Sequence, residues 1–159
     1  MIAKLLFRKT NFIMDNSRLL VFLIILICIK LFSCTSTKHN KTEIETALNH
    51  YDNLILKLDA DSISLLYAPD GNLGDIAMGR DSIRRFLLSF KNVRVLSQRS
   101  VSESVMLNKD TATQTGRYTQ TDIIGEKDTV KVIGTFMVRW QWISKEGWRI
   151  KHMTTKSAN

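Results

Sequence analysis

Histidine and cysteine, the side chains that most often bind metals or act as nucleophiles, are scarce here: the 159 residues include three histidines and two cysteines. His39 and His50 have no cysteine or histidine partner at the spacing of a zinc site. The sequence also has no Ser-His-Asp order, glycine-rich phosphate loop or dinucleotide fingerprint. It therefore predicts neither a metal site nor a bound cofactor.

Cys34 is the residue whose surroundings indicate a covalent reaction. It follows eleven consecutive apolar residues, 19–29, a run shorter than the roughly 20 residues that span a membrane and typical of a secretory signal. The tetrapeptide Leu31-Phe32-Ser33-Cys34 resembles a lipobox, in which the signal is cleaved before the cysteine and the thiol receives a lipid. A short uncleaved anchor, with Cys34 as an incidental thiol, is the alternative.

We therefore expect residues 1–33, read from Met1 or from Met14, to be a lipoprotein signal peptide and residues 34–41 to be a polar tether. Lipid on Cys34 would attach the protein to a membrane of the cell envelope, as a periplasmic or outer-membrane lipoprotein. Residues 42–156 would form one domain, since domains typically hold about 100–200 residues.

The net charge of +8 does not indicate nucleic-acid binding. Five of the 23 basic residues and one of the 15 acidic residues lie within residues 1–33, which leaves 18 bases and 14 acids, or +4, for the rest. Those bases are scattered among acids and form no continuous basic stripe. We therefore expect no nucleic-acid partner.

Three segments of the domain show helical spacing of apolar residues, each after a candidate N-cap. Thr42 and Glu45 have the spacing of a capping box before the first segment, Asp61 precedes the second and Asp81 precedes the third. Pro69-Asp70-Gly71 predicts a turn after the second helix.

From Val93 onward the pattern changes to alternation with β-branched and aromatic residues, which is typical of strands. Strands are predicted at 93–97, 101–107, 112–124, 129–144 and 148–155, joined by short links that favour antiparallel pairing. Gly116 and Gly134 fall within strands, where glycine often marks a bulge or bend. The fold class predicted is α+β: a cone of three N-terminal helices packed on a curved, mostly antiparallel sheet.

The two faces of the fourth predicted strand differ in character. One is nearly all apolar and is expected to meet the helices: Val130, Val132, Phe136, Val138, Trp140 and Trp142. The other is mixed, and Ile133, Met137 and Ile143 make it more apolar than a solvated surface needs. We expect homodimerisation through this outer face.

The run from Tyr51 to Ile83 resembles the NTF2-like (cystatin-like) superfamily, specifically its SnoaL-like and DUF4440-type members. The residues that carry the resemblance fit the pattern D-A-x-x-L-x-x-L-Y-A-P-D followed by G-R-x-x-I, at 59–70 and 79–83. The ending Gly147-Trp148-Arg149-Ile150 is similar to the final strand of that family. The resemblance implies the cone-shaped fold and leaves the function open, because this fold carries many functions.

Ketosteroid isomerase belongs to the same superfamily, and the resemblance implies roles for two residues. Tyr51 falls at the position of the oxyanion-hole tyrosine of that enzyme and Asp75 at the position of its general base, which would remove a proton α to a carbonyl. Where the isomerase has a second acid, this chain has Trp140 or a close neighbour, none of them acidic. Half of the oxyanion hole is missing.

Eight residues are expected to line a ligand pocket: Tyr51, Tyr67, Asp75, Phe136, Trp140, Trp142, Trp148 and His152. For several of them a structural role is the alternative. Tyr51 could be a core aromatic, Asp75 a turn carboxylate and His152 a hydrogen-bonded wall residue.

Two functions of different class remain open at this point. The first is an envelope-anchored, non-catalytic module that binds a small apolar or amphipathic ligand, or a partner protein. The second is a small isomerase, cyclase or hydratase in which Asp75 is the base and Tyr51 stabilises the developing negative charge.

Overall fold

The computed structural model describes residues 38–125 and 128–158. The predicted signal peptide, Cys34 and residues 34–37 of the tether lie outside the described residues. Within them the helices are α1 (Lys41–Ile55), α2 (Ala60–Leu65) and α3 (Arg80–Leu87), and the strands are β1 (Tyr67–Leu73), β2 (Ala77–Met78), β3 (Val93–Asn108), β4 (Thr111–Ile124), β5 (Asp128–Ile143) and β6 (Gly147–Ser157). In this part of the chain no helix has the length and apolar content needed to cross a bilayer.

The six strands form one curved sheet in the order β2-β1-β6-β5-β4-β3. Every neighbouring pair is antiparallel except β1 and β6, which run parallel. The short links between β3, β4, β5 and β6 explain the antiparallel meander, because adjacent strands joined by tight turns must reverse direction. The predicted α+β fold, with helices packed on a curved and mostly antiparallel sheet, is confirmed.

Each helix begins earlier than the sequence pattern predicted. The N-cap of α1 is Asn40, whose side chain accepts from the Glu43 backbone N–H over 3.1 Å, while the Glu43 carboxylate accepts from the Asn40 N–H over 3.3 Å. Thr42 and Glu45 have the same spacing, but asparagine is the stronger N-cap of the two candidates. The capping box therefore forms two residues before the predicted one.

The N-caps of the other two helices also differ from those predicted. Asp59, not Asp61, caps α2 by accepting from the Ser62 N–H over 3.0 Å, and the side chain of Asp61 pairs with Arg84 instead. Gly79, not Asp81, precedes α3 at a φ of 79°. That left-handed backbone favours glycine, and it leaves Asp81 in the first turn, where a negative charge suits the helix dipole.

The predicted turn at Pro69-Asp70-Gly71 lies inside β1. Tyr67 pairs with Ile150 and Asn72 pairs with His152. Four residues of β1 therefore lie between these two pairs, against one residue of β6. The intervening residues bulge out of the ladder, and proline is tolerated there because no ladder hydrogen bond needs its missing N–H. A turn-like sequence therefore becomes an irregular strand.

The predicted strands 93–97 and 101–107 are one strand, β3. Its register against β4 shifts between Val95 and Ser97 and again between Ser102 and Ser104. These two bulges bend the strand without ending it, because the polar stretch between them continues to pair with β4.

The core lies between the helices and the concave face of the sheet. Its most buried members include Ile44 and Leu48 of α1, Ile63 of α2, Ile83 of α3, Val138 of β5 and Ile150 of β6. On β5 the residues from Gly134 to Trp140 alternate between buried and exposed, as the sequence predicted for an inner and an outer face. Ile133 and Met137 are exposed on the outer face, and dimerisation through that face stays a prediction.

Two glycines allow aromatic rings to lie directly over the sheet backbone. A Cβ atom at Gly116 would come within 2.7 Å of the Phe136 ring, and one at Gly134 within 2.6 Å of the Tyr118 ring. Gly134 and Tyr118 are cross-strand partners, as are Gly116 and Phe136. The glycines therefore set where Tyr118 and Phe136 point on the concave face.

Candidate functional site

A cavity of about 360 Å³ lies between the helices and the concave face of the sheet. The second half of α1 contributes Tyr51 and Ile55, α3 contributes Phe86 and Leu87, and the sheet supplies the opposite wall. Ile76 and Ile124 line the cavity and are themselves exposed, so it opens to solvent beside them.

Most of the cavity wall is aliphatic or aromatic, and its apolar lining residues are Ile55, Leu58, Leu73, Ile76, Phe86, Leu87, Phe90, Val93, Val95, Ile124, Phe136 and Met153. A concave, largely apolar site with a few polar groups is the usual form of a small-molecule site. Its volume is within the range of about 300–1,000 Å³ that such sites have.

Tyr51, on α1, is one of the residues that line the cavity. Burial raises the pKa of Tyr51 well above its ordinary value of 10.0, and neighbouring Asp52 raises it further. The hydroxyl of Tyr67 opposes this in part. The phenol of Tyr51 therefore stays protonated and can donate a hydrogen bond at neutral pH.

Tyr67 is not among the residues that line the cavity. Its hydroxyl is 3.4 Å from the sulfur of Met153, and its side chain is almost fully buried. Burial and the nearby Tyr51 hold the pKa of Tyr67 well above the ordinary tyrosine value. Tyr67 is therefore a buried neighbour of Tyr51 that is hydrogen-bonded to it.

Asp52 is a buried carboxylate with its hydrogen bonds satisfied, and it is 8% exposed. It accepts from the Ser100 backbone N–H over 2.7 Å, from the Ser100 hydroxyl over 2.8 Å and from Gln98 Nε2 over 3.0 Å. These bonds hold α1 against β3. Because its carboxylate is used in these bonds, we assign Asp52 a structural role beside the cavity.

Asp122 on β4 is the buried carboxylate that faces the cavity. It is 8% exposed, and its two oxygens both accept from Gln120 Nε2 over 2.9 Å. Among the described residues that line the cavity, Asp122 is the one acid, and none is lysine, arginine or histidine. No ion pair within the described part of the chain involves Asp122.

Gln98 on β3 leaves an acceptor without a partner. Its Nε2 donates to Asp52, but its Oε1 is buried and has no hydrogen-bond partner among the described residues. A buried polar atom without a partner costs about 1–3 kcal/mol. This oxygen belongs to a residue of the cavity wall.

The predicted general base, Asp75, is exposed and is not among the residues that line the cavity. It follows Gly74, which has a φ of 52°, in the turn that joins β1 to β2. The structure therefore does not place Asp75 in the cavity with Tyr51.

Of the eight residues predicted to line a pocket, Tyr51 and Phe136 line this cavity. Trp140 is buried in the core, where its Nε1 donates to Gln114 Oε1 over 2.9 Å. His152 contacts the side chain of Asn72. A register shift between Arg139 and Trp140 of β5 changes the alternation of β6, so His152 does not share the inner face of Trp148 and Ile150.

Trp142 and Trp148 form an aromatic cluster with His39 away from the cavity. Their ring centroids are 5.7 Å apart, and that of His39 is 4.3 Å from Trp142 and 4.9 Å from Trp148. Trp148 Nε1 donates to Glu43 over 2.9 Å. Glu43 is in the first turn of α1 and Tyr51 is eight residues later, or about 12 Å along the helix.

Four residues of the cavity wall were not predicted from the sequence: Gln98, Tyr118, Gln120 and Asp122. Three of them, Tyr118, Gln120 and Asp122, occupy alternate positions of β4 and so share its concave face. Continuing the inward alternation from Ala112, with Gln114 next, would have found these polar positions. Within the described residues no cluster of three His, Cys, Asp or Glu side chains could hold a metal ion.

No protein-family model matches this sequence, and no curated protein matches it. Solved structures do match. One is a ketosteroid isomerase-like protein from Erwinia carotovora atroseptica, with a TM-score of 0.67 and 18% identity over 76% of this chain and 99% of that chain. Another is an NTF2-like protein with a cystatin-like fold from Novosphingobium aromaticivorans, with a TM-score of 0.62 and 16% identity over 92% of both chains.

A third match is an NTF2-like superfamily protein from Salmonella enterica serovar Typhimurium, with a TM-score of 0.63 and 18% identity over 75% of this chain and 91% of that chain. These likenesses confirm the predicted NTF2-like, cystatin-like fold. At such identities they establish the fold alone, so the function has to be argued from the cavity.

Proposed function

We propose that this domain is a binding module that takes a small, largely apolar molecule into the cavity between its helices and the concave face of the sheet. The observation that carries the proposal is the cavity of about 360 Å³ with its mostly aliphatic and aromatic wall. A protein core normally closes such a space, because interiors pack to the density of organic crystals. An apolar cavity that stays open to solvent is therefore typical of a ligand-binding site.

The positions and hydrogen bonds of Asp52 and Asp75 favour a binding module over an enzyme. Asp52 accepts three hydrogen bonds that join α1 to β3, which leaves it poorly suited to proton transfer. Asp75 is exposed outside the cavity. General acid–base catalysis would need a second group opposite Asp122 that exchanges a proton near neutral pH. Tyr51 is poorly suited to that role, because the pKa of its phenol is raised.

A small isomerase, cyclase or hydratase is the second candidate. The specific observation in its favour is that Tyr51, a protonated phenol, and Asp122, a carboxylate, line the same cavity. In such an enzyme Asp122 rather than Asp75 would be the base, and Tyr51 would donate a hydrogen bond to developing negative charge. The ketosteroid isomerase-like name of one structural neighbour is consistent with this chemistry.

For the whole chain we propose attachment to the outside of a cell membrane through lipid on Cys34. The support is in the sequence: a short apolar run, a small residue before the cysteine and a polar stretch after it. A tethered binding module would meet its ligand in the cell envelope, in solution or at the membrane surface.

The test is to fill the cavity and to measure binding. The full-length chain in phosphatidylcholine nanodiscs would be titrated with the neutral fluorescent probe N-phenyl-1-naphthylamine, with empty nanodiscs as the blank. Val95→Phe adds a ring on the buried cavity wall of β3, and Leu96→Phe adds it at the next, exposed position as a matched control.

We expect wild type and Leu96→Phe to bind the probe and Val95→Phe to bind it at least tenfold more weakly. Equal binding by all three proteins, or no binding beyond the blank, contradicts the proposal. Small molecules that co-purify with the protein would be identified by mass spectrometry and incubated with it again. An enzyme would convert such a molecule, whereas a binding module would return it unchanged.

A further inference from the structure

Three polar residues of the cavity wall form one continuous patch on β3 and β4. Gln98 and Gln120 are direct cross-strand partners, so their side chains are neighbours on the concave face. Asp122 follows two residues after Gln120 and therefore points to the same side of the sheet. We call Gln98, Gln120 and Asp122 the acceptor patch.

The orientation of each amide in the acceptor patch is fixed by a carboxylate. Gln98 Nε2 faces Asp52 Oδ1 at 3.0 Å, and a carboxylate can only accept, so the nitrogen must be on that side and Oε1 on the other. Gln120 Nε2 is held in the same way by the two oxygens of Asp122. Both amides therefore direct their N–H groups at carboxylates and keep their carbonyl oxygens for other donors.

The charges and acceptors of the patch are not balanced by the rest of the cavity. Among the residues that the structure describes, Gln98 Oε1 is buried without a hydrogen-bond partner and Asp122 has no basic neighbour in the cavity wall. The remaining polar lining residues are the hydroxyls of Tyr51, Ser100, Tyr118 and Thr155. That of Ser100 already donates to Asp52.

We propose that the ligand has an apolar body and a donor head, an ammonium group or another group with several N–H bonds, that binds the acceptor patch. The apolar wall takes the body, Asp122 takes the charge, and Gln98 Oε1 gains the partner that it lacks. An anionic ligand such as a carboxylate is disfavoured, because it would be placed next to Asp122, and the described lining residues include no cation. This inference rests on the proposed binding function and adds the chemical class of the ligand.

The test compares three probes that share one naphthalene body. They are 2-naphthylmethylamine, whose head is an ammonium group; 2-ethylnaphthalene, its uncharged isostere; and 2-naphthoate, an anion. Calorimetric titration of the full-length chain in phosphatidylcholine nanodiscs, with empty nanodiscs subtracted, gives the dissociation constant of each. On wild type we expect the amine to bind at least about tenfold tighter than the anion, as one charge-assisted hydrogen bond provides.

The variants are Asp122→Asn, which keeps the shape and removes the charge, and Asp128→Asn, the same change at an exposed position. Asp122→Asn should weaken binding of the amine about tenfold and leave that of 2-ethylnaphthalene within twofold, while Asp128→Asn should change neither. The wild-type comparison of amine and anion is decisive even where Asp122→Asn folds poorly.

The outcomes distinguish this inference from the proposed function. Binding of 2-ethylnaphthalene together with an anion bound as tightly as the amine, or an Asp122→Asn variant that keeps full affinity for the amine, overturns the ligand class and leaves the binding module standing. Absence of binding for all three probes overturns both.

Discussion

The carboxylate of Asp52 accepts both the backbone N–H and the hydroxyl of Ser100, over 2.7 and 2.8 Å. This pair joins the second half of α1 to β3, and it lies in the stretch between the two bulges of that strand. The same carboxylate orients Gln98. One buried acid therefore fixes both the position of the helix and the direction of an acceptor in the cavity.

The first prediction concerns this acid. Asp52→Ala should lower the free energy of unfolding by about 3 kcal/mol, because it leaves the Ser100 N–H and the Gln98 amide buried without their acceptor. Urea denaturation followed by circular dichroism measures the change. Asn53→Ala, at the adjacent exposed position of α1, is the control and should change the free energy of unfolding by less than about 0.5 kcal/mol. An Asp52→Ala protein as stable as this control would show that the bonds to Ser100 contribute nothing.

The second prediction concerns Glu43, which joins the start of α1 to the last strand. The hydrogen bond from Trp148 lowers the pKa of Glu43 most, followed by the one from His39. A carboxylate with a lowered pKa in the folded state stabilises the fold above its ordinary value of 4.5, and that stability is lost as the pH falls through the folded-state pKa.

Trp148→Phe removes the indole N–H and should move the pKa of Glu43 upward, toward the ordinary value. Carbon-13 NMR titration of the glutamate carboxyl groups measures it. Trp142→Phe is the matched control, since Trp142 contacts His39 and Trp148 by ring packing and has no hydrogen bond to Glu43 in the described structure. A Glu43 pKa that is unchanged in Trp148→Phe would contradict this assignment.

The third prediction concerns stability at alkaline pH. The folded-state pKa values of Tyr51 and Tyr67 are both raised, so the folded state retains these phenol protons while the unfolded chain releases them near pH 10. Stability should be fully present below about pH 10 and should fall as the pH rises above it. Tyr51→Phe removes one of the two groups and should make that fall shallower.

Urea midpoints of wild type and Tyr51→Phe between pH 8 and 11 would measure this difference. Absorbance of tyrosinate in the native state should show Tyr51 and Tyr67 still protonated above pH 10. Identical slopes for the two proteins would mean that Tyr51 has the same pKa in the folded and unfolded states, which would contradict this prediction.

The fold could be predicted from the sequence because its signals are local. Helical spacing follows from 3.6 residues per turn, and strand alternation follows from a period of two, so the apolar faces of α1 and β5 are visible without any structure. The predicted N-caps Thr42, Asp61 and Asp81 each lie two residues after the observed ones. In each case a second polar residue or glycine nearby could serve, and local spacing cannot choose between them.

The site could be predicted only in part. Alternation shows which face of the sheet a residue is on, but it does not show which part of the helices that residue meets along the strand. β5 has 16 residues and, at about 3.4 Å per residue, passes both the cavity and the opposite end of α1. Phe136 reaches the cavity, whereas Trp140 and Trp142 on the same strand do not. The position of Asp122 against Val95 also depends on a bulge in β3 that the sequence does not reveal.

The last prediction concerns Cys34, which lies outside the described residues and on which the proposed localisation depends. Lipidation needs the thiol as nucleophile, so Cys34→Ser should abolish incorporation of labelled fatty acid and signal cleavage at this site. Cys28→Ser is the matched control: Cys28 lies in the apolar run that cleavage discards, so label and mature mass should be unchanged. The domain should fold alike in both variants, because α1 begins seven residues after Cys34. Wild-type protein that takes up no label and keeps its first 33 residues would overturn the proposed membrane attachment and leave the cavity proposal untouched.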